Sequence, residues 1–502
     1  MRRLVVLLAL VVAAPAAAAT INGSLRSELI LGSAAPDRIH AAAGNDFVQA
    51  AFGGVDTVDC GAGNDVVSAD ATDRLTNCET VSRRLSVDPY SNPDSQHETA
   101  VEPDSFAFGS TIVAAFQLGR RLDGASANIG TAVSGDAGRT WQRSTLPALT
   151  ANSTPPGPES SASDPTVAYD AVHAVWLVGT LTLEGETNSH VYVARSTDGL
   201  HWQTPVDVAS GPILDKDWFA CDNGAASPFR GRCYAEYTDD QLNQTVSQFS
   251  NDGGLTWSPP VRSTTALVGT QPVVRPDGTL VVVAGEYNGA AGLTGSIVAV
   301  RSTDGGATFT RTTISSLRTH DNSPMRAIAL PSVDIDSAGT IYASWDDCRF
   351  RTGCTANDIV LSTSADGGVT WTPPTRVPLA PASSAVDPFI PGLAADPAHP
   401  GRLALVYAWY STTACRSGAC TLGIGFTTSS DGGATWSPPR RLHAQPFSTT
   451  WTPRAEGGRM VGDYFSTSYA GDRVVPVFAL AAAPLHGRLR EAIFAASLPN
   501  NG

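Results

Sequence analysis

From about residue 84 onward, apolar and polar positions alternate with a period of two, in paired runs separated by short turns. The pairs read "EPDSFAF…TIVAAFQ" (102–117), "DPTVAYD…AVWLVG" (164–179), "DWFACDN…RCYAEY" (217–237), "QPVVRPDGTLVVVAGEY" (271–287), "PSVDIDSAGTIYASWDD" (331–347), "PFIPGLAAD…RLALVYAWY" (388–410) and "GDYFSTSYAGDRVVPVFAL" (462–480). Period-two alternation, β-branched and aromatic enrichment and Asp-Gly or Ala-Gly turns predict antiparallel strand pairs. Each of the first six pairs continues into a third strand, a recurrent octapeptide and a fourth strand. The seventh has a third strand, "LREAIFAASL" (488–498), after which the chain ends, and "SRRLSVD" (82–88) is the candidate for its vacant outer position. Units of four strands that cannot bury their own faces predict an all-β fold, a β-propeller of seven blades, with six as the alternative.

The octapeptide is "SSDGGATW" at 429–436, and its relatives are "SGDAGRTW" (134–141), "STDGLHW" (196–202), "SNDGGLTW" (250–257), "STDGGATF" (302–309) and "SADGGVTW" (364–371). Its Asp accepts from backbone N–H groups a few residues on, the glycines take positive φ without Cβ strain, and the aromatic residue returns to the sheet. This pattern resembles the Asp-box, or BNR, repeat of the sialidase superfamily, whose own propellers have six blades. The resemblance implies hairpins between third and fourth strands, on the face away from the active site. Asp136, Asp198, Asp252, Asp304, Asp366 and Asp431 are therefore structural on both grounds.

Residues 32–80 follow a shorter period, "GSAAPDRI", "AAGNDFV", "FGGVDTV" and "GAGNDVV", with Asp37, Asp46, Asp56 and Asp65 spaced by nine, ten and nine. This resembles the glycine-rich nonapeptide repeat of RTX, or haemolysin-type, calcium-binding proteins. The resemblance implies a β-roll holding calcium, with Asp46, Asp56 and Asp65 as ligands; the alternative is a degenerate roll that has lost its metal. Ahead of it, "MRRLVVLLALVVAAPAAAAT" has two arginines, an apolar run too short to span a bilayer and Ala17-x-Ala19, the grammar of a secretory signal peptide. The expected organisation is a signal peptide over 1–19, a calcium-binding β-roll segment over 20–81 and a propeller over 82–502, in a secreted monomer with no later membrane span.

The eight cysteines fall into near neighbours, Cys60/Cys78, Cys221/Cys233, Cys348/Cys354 and Cys415/Cys420. In an exported chain without CxxC pairs that favours disulfides over thiolate metal sites. The formal charge of 33 − 47 = −14 argues against a nucleic-acid partner. Lys216 is the single lysine among the basic residues, read as codon bias toward arginine. His97, His320 and His443 lie in loops without metal-ligand spacing and are read as surface residues. No GxSxG, P-loop or dinucleotide fingerprint occurs.

In a propeller, first strands begin and second strands end on one face, which gathers Glu102, Asp104, Asp164, Asp215, Lys216, Asp217, Gln271, Asp387, Asp463 and Tyr464 from first-strand starts with Arg120, Arg121, Glu236, Tyr237, Asp239, Glu286, Tyr287, Asp346, Asp347, Arg349 and Tyr410 from second-strand ends. The sialidase resemblance implies three arginines clamping a sugar carboxylate, a Tyr nucleophile activated by a Glu, and an Asp acid/base. The candidates are Arg121, Arg326 and Arg349 for the clamp, Tyr464 with Glu236 as its base, and Asp104 or Asp164 as the acid. The family's early arginine sits in an F/Y-R-I-P motif, and the corresponding first strand here, "EPDSFAFGSTIV", has none. The expected function is a sialidase-like glycoside hydrolase, of exo-alpha-sialidase type, acting on glycans. A non-catalytic glycan- or protein-binding propeller is the alternative, and a polysaccharide lyase on the same scaffold a third.

Overall fold

The computed structural model describes residues 17–122, 124–184, 188–263, 265–289, 292–412 and 420–500. Most of the expected signal peptide, residues 1–16, and Cys415 lie outside the described residues. The chain divides into two units, Met1–Arg84 with Arg441–Pro446, and Leu85–Arg440 with Phe447–Gly502.

The first unit is a parallel β-solenoid of about four turns. Strands of three to five residues alternate between two parallel sheets, one of Thr20–Asn22, Arg38–His40, Thr57–Asp59 and Arg74–Thr76, the other of Leu29–Leu31, Phe47–Gln49, Val66–Ala69 and Thr80–Arg84. The pairs Thr20↔Arg38 and Arg38↔Thr57 place equivalent residues 18 and 19 apart, so two of the short repeats complete one turn. Each strand turns its central apolar residue inward, and Ile30, Ile39, Val48, Val58 and Val67 form the core. The glycines of "GAG" are required by the stacking: a Cβ on Gly61 would sit 1.8 Å from the Ala42 carbonyl oxygen, and one on Gly63 1.7 Å from that of Gly44. Cys60–Cys78 ties the last turns together.

The second unit is antiparallel. Its strands form one sheet of eight between Gln96–Phe108 and Val206–Gly211, three sheets of four, one of five, a short hairpin of two, and a last sheet of Ser466–Ala470, Arg473–Ala481 and Glu491–Ala496, with Leu498–Pro499 paired to its middle strand. This corrects the expectation of a seven-bladed, or six-bladed, propeller. The repeating architecture identified is the β-solenoid of about four turns, and the antiparallel strands do not divide into seven equal four-stranded sheets. Ser126 pairs with Ala162, which joins the first two expected units into one sheet, and in the segment expected to fill the outer position of the last, the Leu85 N–H donates to the Ile493 carbonyl at 2.7 Å.

Neighbouring first strands are held by side chains where no ladder runs between them. Asp104 accepts from the Val167 N–H at 2.7 Å, Gln271 from Val333 at 2.8 Å, Asp334 from Ala395 at 2.8 Å and Ser466 from Ser105 at 3.0 Å. Burial pushes Asp104 up to about 7.

All six copies, the seven-residue one at 196–202 included, form a turn that joins two paired antiparallel strands. In Ser302–Phe309 the Ser302 hydroxyl donates to Asp304 (2.7 Å) and accepts from the Gly306 N–H (2.8 Å), while the Thr308 N–H and hydroxyl donate to the same carboxylate at 2.9 and 2.6 Å. The Thr308 hydroxyl bond leads the causes that hold Asp304 down to about 2. Asp304→Ala is expected to cost about 1 kcal/mol, the net worth of hydrogen bonds at a wet turn, and Asp304→Asn less, in urea melts at neutral pH. Because the carboxyl is depressed, its contribution is present above the ordinary carboxylate range and fades as pH falls through about 2.

Three expected disulfides are present, Cys60–Cys78, Cys221–Cys233 and Cys348–Cys354, and Cys420 is also disulfide-bonded. His443, expected at the surface, is buried, with its pKa lowered to about 3 by desolvation. No helix among the described residues is long and apolar enough to cross a membrane.

Candidate functional site

Five first strands carry the same irregularity, two residues opposing one on the second strand. The bulges fall at Glu102-Pro103, Asp164-Pro165, Lys216-Asp217, Gly269-Thr270 and Ile390-Pro391. The leading residue of each takes a left-handed backbone, with φ of 53° at Glu102, 45° at Asp164, 53° at Lys216, 66° at Gly269 and 52° at Ile390. Glycine adopts this at no cost, whereas the other residues carry strain of about 1–3 kcal/mol each. Bulges re-aim side chains, and here they aim three charged ones at each other.

Lys216 is the hub. Its Nζ lies 2.6 Å from Asp463 Oδ2, 3.2 Å from Asp164 Oδ1 and 4.0 Å from Glu102 Oε1. Arg326 also approaches Asp463, at 3.0 Å. The Gln117 amide donates to Glu102 and, at 3.0 Å, to the Ser163 hydroxyl, while Arg120 donates to the Gln117 carbonyl oxygen at 2.7 Å. The Lys216 side chain is 7 % exposed and that of Asp463 fully enclosed.

The electrostatics separate the carboxyls. Burial and the neighbouring Asp164 charge push Glu102 up, so that it favours the protonated form. Burial alone would raise Asp463 too, but Arg326 and Lys216 hold it below the usual carboxylate range. Burial works against the Lys216 charge, yet the carboxylates of Asp164 and Asp463 raise its pKa well above that of an exposed lysine. Lys216 is therefore a fixed cation and not an amine nucleophile. Asp217, with both oxygens buried and unpartnered, is raised well above its ordinary value by burial. One acid kept protonated beside another kept ionised is the arrangement acid/base chemistry uses.

Of the residues singled out in the sequence, the structure brings Asp164 and Arg326 into this cluster, with Tyr464 next to Asp463. The Tyr464 hydroxyl donates to the Pro165 carbonyl at 3.1 Å, and its ring meets Trp218 edge-on with centroids 5.0 Å apart. Asp104 spans two strands as described above. Arg121 pairs with Asp94 at 3.1 Å and Arg349 with Asp347 at 2.6 Å, so each expected clamp arginine has its own carboxylate. Glu236 accepts from the Ser247 hydroxyl at 2.7 Å and lines a different cavity from the crevice that Tyr464 and Asp463 share with Trp218 and Gln271. Glu102, Lys216 and Gln117 were not assigned roles from the sequence. The available signal was the one lysine in the chain.

Asp46, Asp56 and Asp65 occupy the solenoid corners. Asp46 Oδ1 accepts from the Glu28 N–H at 2.8 Å and Asp65 Oδ1 from the Asp46 N–H at 2.7 Å along one corner, while Asp56 Oδ1 accepts from the Asp37 N–H at 2.7 Å along the other. The expected ligands thus divide between two corners, one oxygen of each being taken by the backbone. Calcium takes six to eight oxygens, and among the described residues no three His, Cys, Asp or Glu side chains converge to hold a metal. Held in this way, the three side chains do not converge on one ion.

A family model described as a BNR repeat-like domain matches residues 109–335, less than half the chain. A comparison with curated proteins finds no match. Among solved structures, the Hadza microbial sialidase Hz136 is 16% identical, with 80% of this chain and 66% of that one covered and a TM-score of 0.43. This chain thus spans just under two thirds of that sialidase. A protein of unknown function from Dyadobacter fermentans is 14% identical (83% and 99% covered, TM-score 0.45), and the NanB sialidase from Streptococcus pneumoniae 12% (83% and 70%, 0.40). Likeness of this degree assigns no activity.

Proposed function

We propose that this protein is directed at glycans and that its working centre is the cluster of Glu102, Asp164, Lys216, Asp463 and Arg326. The observation that carries the reading is the convergence of Glu102, Asp164 and Lys216 from strained left-handed bulges on three separate strands. Strain of this kind persists where the surrounding structure holds it, and it gathers at working sites. The BNR repeat-like match over 109–335 supports a glycan as the partner class.

In a hydrolytic form of this reading, Glu102 gives its proton to the leaving glycosidic oxygen as that C–O bond breaks, a water attacks the anomeric carbon and loses its proton to Asp164, and Lys216 and Arg326 fix the charge between the two carboxyls. The narrower form is sialoside hydrolysis by a secreted enzyme with Tyr464 as nucleophile. It requires Arg121, Arg326 and Arg349 to leave their present partners and converge on one carboxylate. A second reading, recognition without turnover, is favoured by the closure of the cluster, in which every charged group is paired and all but Arg326 are nearly enclosed.

The test is hydrolysis of chromogenic sialosides and neutral glycosides beside binding to a glycan array. Glu102→Gln is expected to lower kcat about 100-fold or more, the usual worth of a general acid, with KM little changed. Binding without turnover in the wild type selects recognition. Neither turnover nor binding overturns the proposal.

A further inference from the structure

Apart from the charged cluster, the second unit holds a cavity of about 390 Å³, within the range of roughly 300–1,000 Å³ found for small-molecule sites. It opens between the outer strands of two adjacent sheets, where Gln244–Ser250 and Val261–Arg262 of one face Thr294–Ser302 and Thr310–Arg318 of the next. Leu267, Val300 and Phe309 give it an apolar wall. Glu236, 1% exposed, closes its inner end.

Among the described residues Glu236 has no charged partner. One carboxyl oxygen accepts from Ser247 at 2.7 Å, and the two guanidiniums at the rim are engaged elsewhere, Arg262 with Asp239 at 2.8 Å and Arg311 with Glu286 at 2.5 Å. An anionic ligand would find both arginines already neutralised and a carboxyl at the end of the pocket, and that carboxyl, which burial holds protonated, offers a cationic one no counter-charge. An uncharged ligand remains, with an apolar face for Phe309 and Leu267 and hydroxyls for Glu236 and Ser247. A pyranose ring has that division between its C–H face and its hydroxyl edge.

We infer that this cavity is a second carbohydrate site, taking one uncharged sugar residue with Glu236 as its polar anchor and Phe309 as its platform. It extends the glycan reading above to a separate place in the molecule and to neutral sugars, and it does not use the charged cluster. Burial raises Glu236 to about 8, so at neutral pH the carboxyl is protonated and has an O–H to donate to a sugar oxygen. Above that value the anion only accepts.

Saturation-transfer NMR and calorimetry on the full chain, with the methyl glycosides of glucose, galactose and mannose as probes, test the assignment. At least one is expected to bind, with affinity falling about tenfold or more in Phe309→Ala and in Glu236→Ala. Wild-type affinity should weaken between pH 7 and 9, while Glu236→Gln, which keeps the shape and the hydrogen bonding, binds with little pH dependence. Glu102→Gln should leave this binding unchanged. Loss of binding in Glu102→Gln with retention in Phe309→Ala would place the sugar at the charged cluster and overturn the second site while keeping the glycan reading. No binding of any of the three probes overturns it as well, and a flat wild-type pH profile removes Glu236 as the anchor.

Discussion

Lys216→Met is expected to destabilise the second unit by about 3–5 kcal/mol, the cost of removing one partner from a buried set of charges. Lys216 is the cation nearest Asp164 among the groups that touch it, at 3.2 Å, and it shares Asp463 with Arg326. Without it, Asp164 is left as an uncompensated buried anion, whereas Glu102 can take a proton and Asp463 keeps Arg326. Methionine fills a similar volume, so the loss reports charge more than a cavity. Chemical denaturation of the wild type, Lys216→Met and the double variant Lys216→Met/Asp164→Asn measures it, and the double variant should recover part of the loss because both members of the pair are gone. Asp463 is depressed in the folded state, so its share of the stability is present at neutral pH and is lost as pH falls below the ordinary carboxylate range. A loss under about 1 kcal/mol would match an exposed ion pair instead.

The second large effect belongs to the solenoid. Asp56 Oδ1 satisfies the Asp37 N–H, and the Asp56 N–H is in turn satisfied by Asp73 at 2.9 Å. Asp56→Ala leaves a buried donor unpaired and is expected to cost about 1–3 kcal/mol; Asp56→Asn, which keeps an acceptor in place, should cost less. Burial raises Asp56 to about 6 and Asp73 to about 7. A carboxyl whose folded pKa is raised favours folding while protonated, so this contribution is full below the ordinary aspartate value of about 3.9 and is lost as pH rises through about 6 to 7. Hydrogen exchange of residues 20–84 in the full chain, corrected for intrinsic rates, should show better protection at pH 5 than at pH 7.5, with a smaller difference in Asp56→Asn. Added calcium is expected to leave that protection unchanged; a calcium-dependent rise would show that the carboxylates can leave their backbone partners for a metal.

What could be read from the sequence was what the chain decides locally. The octapeptide turn was legible because its Ser, Asp, Gly and Thr lie within seven residues and bond to one another. Three cysteine pairs followed from proximity for the same reason. The spacing of Asp37, Asp46, Asp56 and Asp65 announced a stacked repeat, but the same spacing serves a calcium loop and a ladder of carboxylates capping backbone N–H groups. Only the direction of each carboxylate tells them apart. The charged cluster lay further from reach, since Lys216 meets partners 52 and 247 residues away.

The expected pairing of Glu236 with Tyr464 failed because grouping residues by strand end leaves open the face to which each side chain turns. Glu236 turns to Ser247 on the neighbouring strand and lines the cavity between the outer strands, not the crevice of Tyr464. The sheet count was misjudged because the pairing of Ser126 with Ala162, which joins two expected units, has no mark in the residues themselves.

The enclosure of Lys216 also limits how the molecule can be handled. It is the only lysine in the sequence, so succinimidyl dyes, aldehyde fixatives and amine-coupled sensor chips meet no exposed side-chain amine on the folded chain. The charged cluster and the cavity beside Glu236 are thereby spared amine-directed chemistry.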